Sequence, residues 1–301
     1  MAGQPIIFDR SLVRARLRRA QREGAATFLV DRVAEDLADR LAVVLRKFAW
    51  AADIGTPTDA VTRRLAASDA VGAVAAMRLD LTAARQDPGA AVVADEEVIP
   101  FGHGRLDLVT SALALQAVND LPGVLVQIRR ALKPDGLFLA ALLGGETLSE
   151  LRDSFFSAEA EVEGGASPRV APFTDVRAAG ALLQRAGFAL PVADVDRIVV
   201  RYDSLFALAA DLRRMGATNP LVDRQRMPLR RATLRRAAEI YAQRYADPDG
   251  RIRATFDIVW LSGWAPHESQ QQPLRPGSAR ARLADALGTR EIPAGERTGG
   301  N

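Results

Sequence analysis

The chain has no cysteine, which excludes disulfides, thiolate zinc sites, iron–sulfur ligation and cysteine nucleophiles together. Its two histidines, His103 and His267, are too few for a site of several imidazoles in one chain, so no metal is expected. Lysine is nearly missing as well: Lys47 and Lys133 stand alone, and the basic charge is carried by arginine. No apolar run reaches the roughly 18 to 20 residues that a spanning helix needs, so no membrane span is expected. Met1 to Ile7 is short and uncharged for a signal or transit peptide, which predicts a cytoplasmic location. Forty basic against 37 acidic residues leave a net charge of +3. A nucleic-acid footprint requires a far larger imbalance, and no nucleic-acid partner is expected.

What remains is an ordinary globular composition, 48% hydrophobic and 26% charged over 301 residues, long enough to bury a full core without staples. Leu29, Val33, Leu37, Leu41 and Val44 recur at helical spacing, so two helices are predicted before the first strand. Apolar runs at Phe48–Ile54, Val71–Ala76, Ala90–Ala94, Leu106–Leu115 and Leu137–Leu143 alternate with helical or polar segments, the pattern of a parallel sheet. Thr58, Asp120 with Pro122, and Thr174 mark helix starts, Lys133-Pro134-Asp135-Gly136 a turn, and Gly187 a helix stop. Ile198–Tyr202 and Ile252–Trp260 complete seven strands, the last antiparallel, with a helical insert before it. The expected organisation is residues 1–47 as N-terminal helices, 48–202 as the core, 203–246 as a helical lid, 247–265 as the final core strand and 266–301 as a tail, rich in Gly, Pro, Arg and Gln from Gln270.

In an open α/β sheet, ligands sit beyond the carboxyl ends of the strands. Acidic residues fall there in order: Asp53, Asp80 and the run Asp95-Glu96-Glu97. Carboxylates so placed can accept from ribose hydroxyls or an adenine amine, although any one alone is as well explained as a strand end or helix cap. The G-x-G-x-x-G fingerprint of a dinucleotide site is missing at the first strand. Gly144-Gly145 suits either a substrate-mouth loop or a plain turn. His267 and Glu268 are adjacent, which favours a structural contact over a shared ion. The arginines at 14–22 and 224–236 read as solvated helix faces without a stacking platform. Leu229, Leu234, Ala238 and Tyr241 suggest a helix packed over the sheet mouth.

The order of Asp53-x-Gly55, Asp80, Ala94-Asp95-Glu96-Glu97, Phe101, Leu106-Asp107-Leu108-Val109 and Leu132-Lys133-Pro134-Asp135-Gly136 resembles class I S-adenosylmethionine-dependent methyltransferases. Within them the chain is similar to the respiratory complex I assembly factor group, whose human member is an arginine hydroxylase. Carrying segments are Phe8-Asp9-Arg10, Val118-Asn119-Asp120-Leu121-Pro122, Gly144-Gly145-Glu146-Thr147-Leu148, Glu163-Gly164-Gly165, Pro172-Phe173-Thr174, Met215-Gly216, and Gly263-Trp264 with His267-Glu268-Ser269-Gln270. The resemblance covers about Phe8 to Ala279, and the Trp264–Gln270 segment is the most specific. It implies a Rossmann-like α/β fold with a seven-stranded, mostly parallel sheet, S-adenosylmethionine held by Asp53, Gly55, Asp80, Asp95 and Glu96, and modification of a protein side chain on a complex I subunit. It names no catalytic residue here. Two departures matter. The family's glycine-rich first loop reads Asp53-Ile54-Gly55-Thr56-Pro57-Thr58-Asp59, and Gln116-Ala117 replaces a His-Trp pair. These departures keep open a cofactor-less assembly chaperone on a degenerate methyltransferase fold. Hydroxylation would need an oxidant, and no two-histidine, one-carboxylate set is visible.

Overall fold

The N-terminal stripe folds as its spacing predicts. In the computed structural model, which describes residues 6–270 and 288–289, helix α1 (Arg10–Glu23) is followed by α2 (Phe28–Ala42), which buries Leu29, Val33, Leu37 and Leu41. Then come β1 (Phe48–Ile54), α3 (Ala60–Ala66), β2 (Val71–Arg78), the single turn α4 (Leu81–Ala84), β3 (Ala90–Val93) and β4 (Leu106–Ala112). The second half holds α5 (Leu121–Ala131), β5 (Leu132–Leu143), α6 (Ser149–Glu163), α7 (Val176–Arg185), β6 (Ala189–Tyr202), α8 (Leu205–Arg214), α9 (Arg231–Tyr245) and β7 (Ile252–Trp264).

The seven strands lie in the order β3-β2-β1-β4-β5-β7-β6. The first five run parallel, and β7 pairs antiparallel with both β5 and β6. Side chains alternate along β5: Leu137, Leu139, Ala141 and Leu143 face the core under α2, α3, α8 and α9, while Phe138, Ala140 and Leu142 face the core under α5 and α7. That period of two explains why the strand reads as a continuous apolar run: both faces are covered. Phe138 stacks on Phe188 with ring centres 5.4 Å apart.

The structure moves several expected boundaries. Lys133-Pro134-Asp135-Gly136 is not a free turn. Leu132 pairs with Leu106, and a register shift takes up the extra residues before Leu137 meets Leu108. β6 begins at Ala189, well before Ile198, because as an edge strand it carries Asp194 and Asp196 and loses the apolar signal on its open side. The helix expected from Thr174 is capped by Asp175, whose carboxylate accepts from the Ala178 amide at 2.8 Å. Asp175→Ala is expected to cost about 1 kcal/mol in a urea titration. By internal contacts the chain divides into Met1–Pro266 and His267–Asn301, and the whole sheet belongs to the first unit. Most of the expected tail lies outside the described residues.

Candidate functional site

A cavity of about 290 Å³ opens beyond the carboxyl ends of β1, β4 and β5, where the topology places ligands. Its walls are mostly apolar: Val13 and Leu17 from α1, Leu29 from α2, Leu113 after β4, Leu143 and Leu148 around the start of α6, and Leu212, Met215 and Phe256 from the other side. Polar groups are few, chiefly Arg10, Glu96, Gln116 and Arg169. The roof comes from α1, α8 and the segment Arg214–Pro220, and no residue of α9 lines the space. The 203–246 insert thus reaches the cavity through α8 and the segment after it, and not through the helix that carries Leu234, Ala238 and Tyr241. Helix α9 instead turns Thr233, Ala237, Ile240 and Tyr241 inward. It is tied to α6 by Thr233 donating to Glu163 at 2.5 Å and by Arg236 and Arg244 pairing with Glu161 and Asp153.

Asp53 is fully buried and does not line the cavity. Its carboxylate pairs with Arg78 at 2.7 Å and accepts from Thr56 at 2.7 Å and Thr110 at 3.2 Å. Burial pushes this carboxyl above its usual range, against the pull of Arg78. The first loop is held by a side chain in place of glycines: Thr56 Oγ1 also accepts from the Ala112 amide at 3.0 Å, which ties the loop to β4.

Gly55 does line the cavity. Its φ is +72°, the left-handed region that favours glycine. A Cβ there would meet the Glu96 side chain at 2.7 Å and Ala114 at 2.9 Å. Gly55→Ala is expected to cost about 1–2 kcal/mol from the backbone alone and to drive Glu96 off its present position, read as a lower urea midpoint.

Asp80 caps α4 by accepting from the Thr82 amide at 2.7 Å, and its other oxygen accepts from Arg18 Nε at 2.8 Å. Burial raises this carboxyl, but the bonds from Arg18 and Thr82 outweigh it and hold it below the ordinary value. Asp95 accepts from Arg10 at 2.9 Å and from the Glu97 amide at 3.1 Å. Glu96 is buried against the same guanidinium, and burial pushes its carboxyl upward. Arg10 completes its bonding by donating to the Ala117 carbonyl at 2.9 Å. Carboxylates at the ends of β2 and β3 thus converge on one face of α1, while Asp53 stays beneath the floor.

The arginines at 14–22 are expected to form a solvated face, whereas the structure turns two of them, with Arg10, inward. Arg10, Arg14 and Arg18 point at the strand ends, and Arg16 donates to the Thr218 carbonyl at 2.6 Å. Burial, with Arg224 and Arg19 nearby, pushes Arg16 down to about 10. The four-residue spacing of Arg10, Arg14 and Arg18 marks one helix face, a signal legible in sequence whose acidic partners are not. Arg78 was missed too. Its trace is a lone charge ending an apolar strand.

Gly144 is a packing position: its amide donates to the Asp257 carbonyl at 2.8 Å, and a Cβ would strike Val259 at 2.7 Å. His267 is exposed, with Nδ1 2.7 Å from Ser269 Oγ. Among the described residues no cluster of metal-binding side chains occurs, and no helix is long and apolar enough to cross a membrane.

Residues 52–140 match the methyltransferase domain family model. The fold resembles a Bacillus halodurans protein described as a methyltransferase, with a TM-score of 0.54 at 16% identity over 77% of this chain and 100% of that one. Sheet order and matched domain together define a protein of the class I methyltransferase fold. Similarity in sequence reaches much further. The chain is 41% identical over 281 residues to the human protein named arginine-hydroxylase NDUFAF5, mitochondrial, covering 91% of this chain and 81% of that protein. Its zebrafish counterpart is 38% identical over 93% of this chain and 89% of its own length. A malonyl-[acyl-carrier protein] O-methyltransferase of Laribacter hongkongensis is 39% identical over 62% of this chain and 61% of its own. The chain belongs to the arginine-hydroxylase NDUFAF5 family. The names of those hydroxylases say mitochondrial, so the cytoplasmic location expected from the N-terminus finds no support among them.

Proposed function

We propose that the chain binds S-adenosylmethionine and modifies an arginine side chain of a protein, a subunit of the respiratory NADH dehydrogenase during its assembly. The observation that carries this reading is the similarity to proteins named arginine-hydroxylase along nearly the whole chain. Of the expected ligands Gly55 and Glu96 line the cavity, while Asp80 and Asp95 do not line it but stand against the arginines of α1, where they suit the nucleoside end of the cofactor. Asp80 would accept from the ribose hydroxyls and Asp95 from the adenine amine, each a charge-assisted bond, while Gly55 gives the close backbone approach that a Cβ would close. Glu96, now above Gly55, would turn aside. When bound, the cofactor supplies a sulfonium methyl group. The apolar walls at Leu113, Leu148 and Phe256 would cover the methylene stem of a substrate side chain and exclude water.

A second reading is favoured by one feature. In the first loop, glycine-rich in the family it resembles, only Gly55 remains and Thr56 and Pro57 follow it, and the carboxylates already carry arginines of this chain. A cofactor-less assembly chaperone would tolerate both. Peptide mass spectrometry of the dehydrogenase subunits, from cells with and without this gene, separates the readings. One arginine heavier by an oxygen atom only when the gene is present would match the relatives' named activity, and it requires molecular oxygen or another two-electron oxidant besides S-adenosylmethionine. A gain of one methylene would mean methylation. No mass difference with failed assembly would leave the chaperone.

A further inference from the structure

Asp80, Asp95 and Glu96 each carry an arginine from a single helix. Arg10, Arg14 and Arg18 are spaced four apart on α1, so they share a face, and that face lies along the ends of β2 and β3. Arg18 reaches Asp80 with Nε at 2.8 Å, on the one carboxylate oxygen that the Thr82 amide does not use. Arg14 stands 3.8 Å from Asp95 and donates to the Leu79 carbonyl at 3.1 Å. Arg10 is the buried member: Nε and one Nη go to Asp95, the same Nη also meets Glu96, and the other Nη donates to Ala117.

We propose that α1 is an internal latch, its arginines standing on these carboxylates in place of the hydroxyl and amine donors of the cofactor, so that binding requires their displacement. This rests on the reading that S-adenosylmethionine is the ligand. The three contacts are graded. Arg14 and Arg18 leave over 40% of their side chains in solvent, so those pairs are weak and open readily. Arg10 leaves only 13%, and its neighbours are fastened: Asn119 accepts from the Ile7 and Phe8 amides at 2.8 Å, and the Asp9 amide donates to Pro220 at 2.9 Å. Arg10 therefore sets the resistance of the latch. Glu96 moves with it, because Glu96 fills the space over Gly55 that the nucleoside would take. A site populated mostly in the latched form binds with an apparent affinity lowered by the open fraction, and mutations that open the latch recover it.

The test is calorimetric titration with S-adenosylmethionine of the full chain, Arg18→Gln, and the double variant Arg10→Gln with Arg18→Gln, each first shown to be folded by its melting transition. Affinity is expected to rise in that order, by roughly 10- to 100-fold in the double variant. Should the glutamine variants fail to fold, Arg10→Lys with Arg18→Lys keeps the charge but loses the planar fork, and a smaller rise is expected. Binding by the wild type with unchanged or weaker binding by the folded variants overturns the latch and leaves the cofactor reading intact. No binding by the wild type but binding by the double variant supports both. No binding by any of them overturns both.

Discussion

Arg78→Met is expected to lower folding stability by about 3–5 kcal/mol, the loss seen when one partner of a buried ion group is removed. The guanidinium is 1% exposed and bridges two carboxylates that are as deeply buried, Asp53 at 2.7 Å and Asp87 at 2.6 Å. Asp53 belongs to the first loop, and Asp87 also accepts from Thr62 of α3 at 2.7 Å. The cluster thus pins β1, β2, α3 and the lead into β3 from below. Without Arg78 two charges are left in the interior, and the damage comes from them rather than from lost attraction. Adding Asp53→Asn and Asp87→Asn to Arg78→Met should therefore recover most of the loss in urea unfolding. The sign with pH follows. Burial already raises the Asp53 carboxyl above its unfolded value of 3.8, so this group favours the fold at low pH and works against it as pH rises through its folded value. Removing Arg78 raises that value further, and the variant's deficit should shrink on going from neutral pH towards pH 4. A deficit independent of pH, or one that persists in the triple variant, would mean packing at position 78 is what matters.

The same cluster shows what a sequence can and cannot disclose here. Strand β1 was legible to the residue, Phe48–Ile54, because its apolar run is bounded by Asp53 and Gly55 and its partners on both sides are parallel strands. The acids at strand ends were legible as positions, since the period of the alternation fixes where strands stop. Their orientation was not. Asp53 and Asp80 look alike in sequence, yet one turns into the interior to meet Arg78 and the other outward to meet Arg18. The deciding partners lie 25 and 62 residues away, and only the fold brings them near. Which part of the 203–246 insert covers the cavity was hidden for a related reason. Helices α8 and α9 both have an apolar stripe, and which stripe covers the cavity depends on α6 offering α9 a row of acidic partners.

Asp80→Asn is expected to weaken S-adenosylmethionine binding by roughly 10- to 150-fold, the equivalent of the 1.5–3 kcal/mol carried by one charge-assisted bond. Asparagine is chosen because Asp80 has two duties: its oxygen caps α4 through the Thr82 amide, and an asparagine oxygen can still do that. The charge is what is lost. Stability should change little, because the Arg18–Asp80 pair has an arginine 45% exposed and such pairs contribute at most about 1 kcal/mol. The pH dependence separates a ligand-binding carboxylate from a structural one. With hydrogen bonds from Arg18 and Thr82 holding Asp80 below its ordinary 3.8, the wild-type advantage over Asp80→Asn should stay constant from neutral pH down to about pH 4 and disappear only below that, as Asp80 takes up its proton. Calorimetry of both proteins across that range would read it. Equal affinities at neutral pH would exclude Asp80 as a cofactor ligand, and with it the nucleoside end of the proposed site.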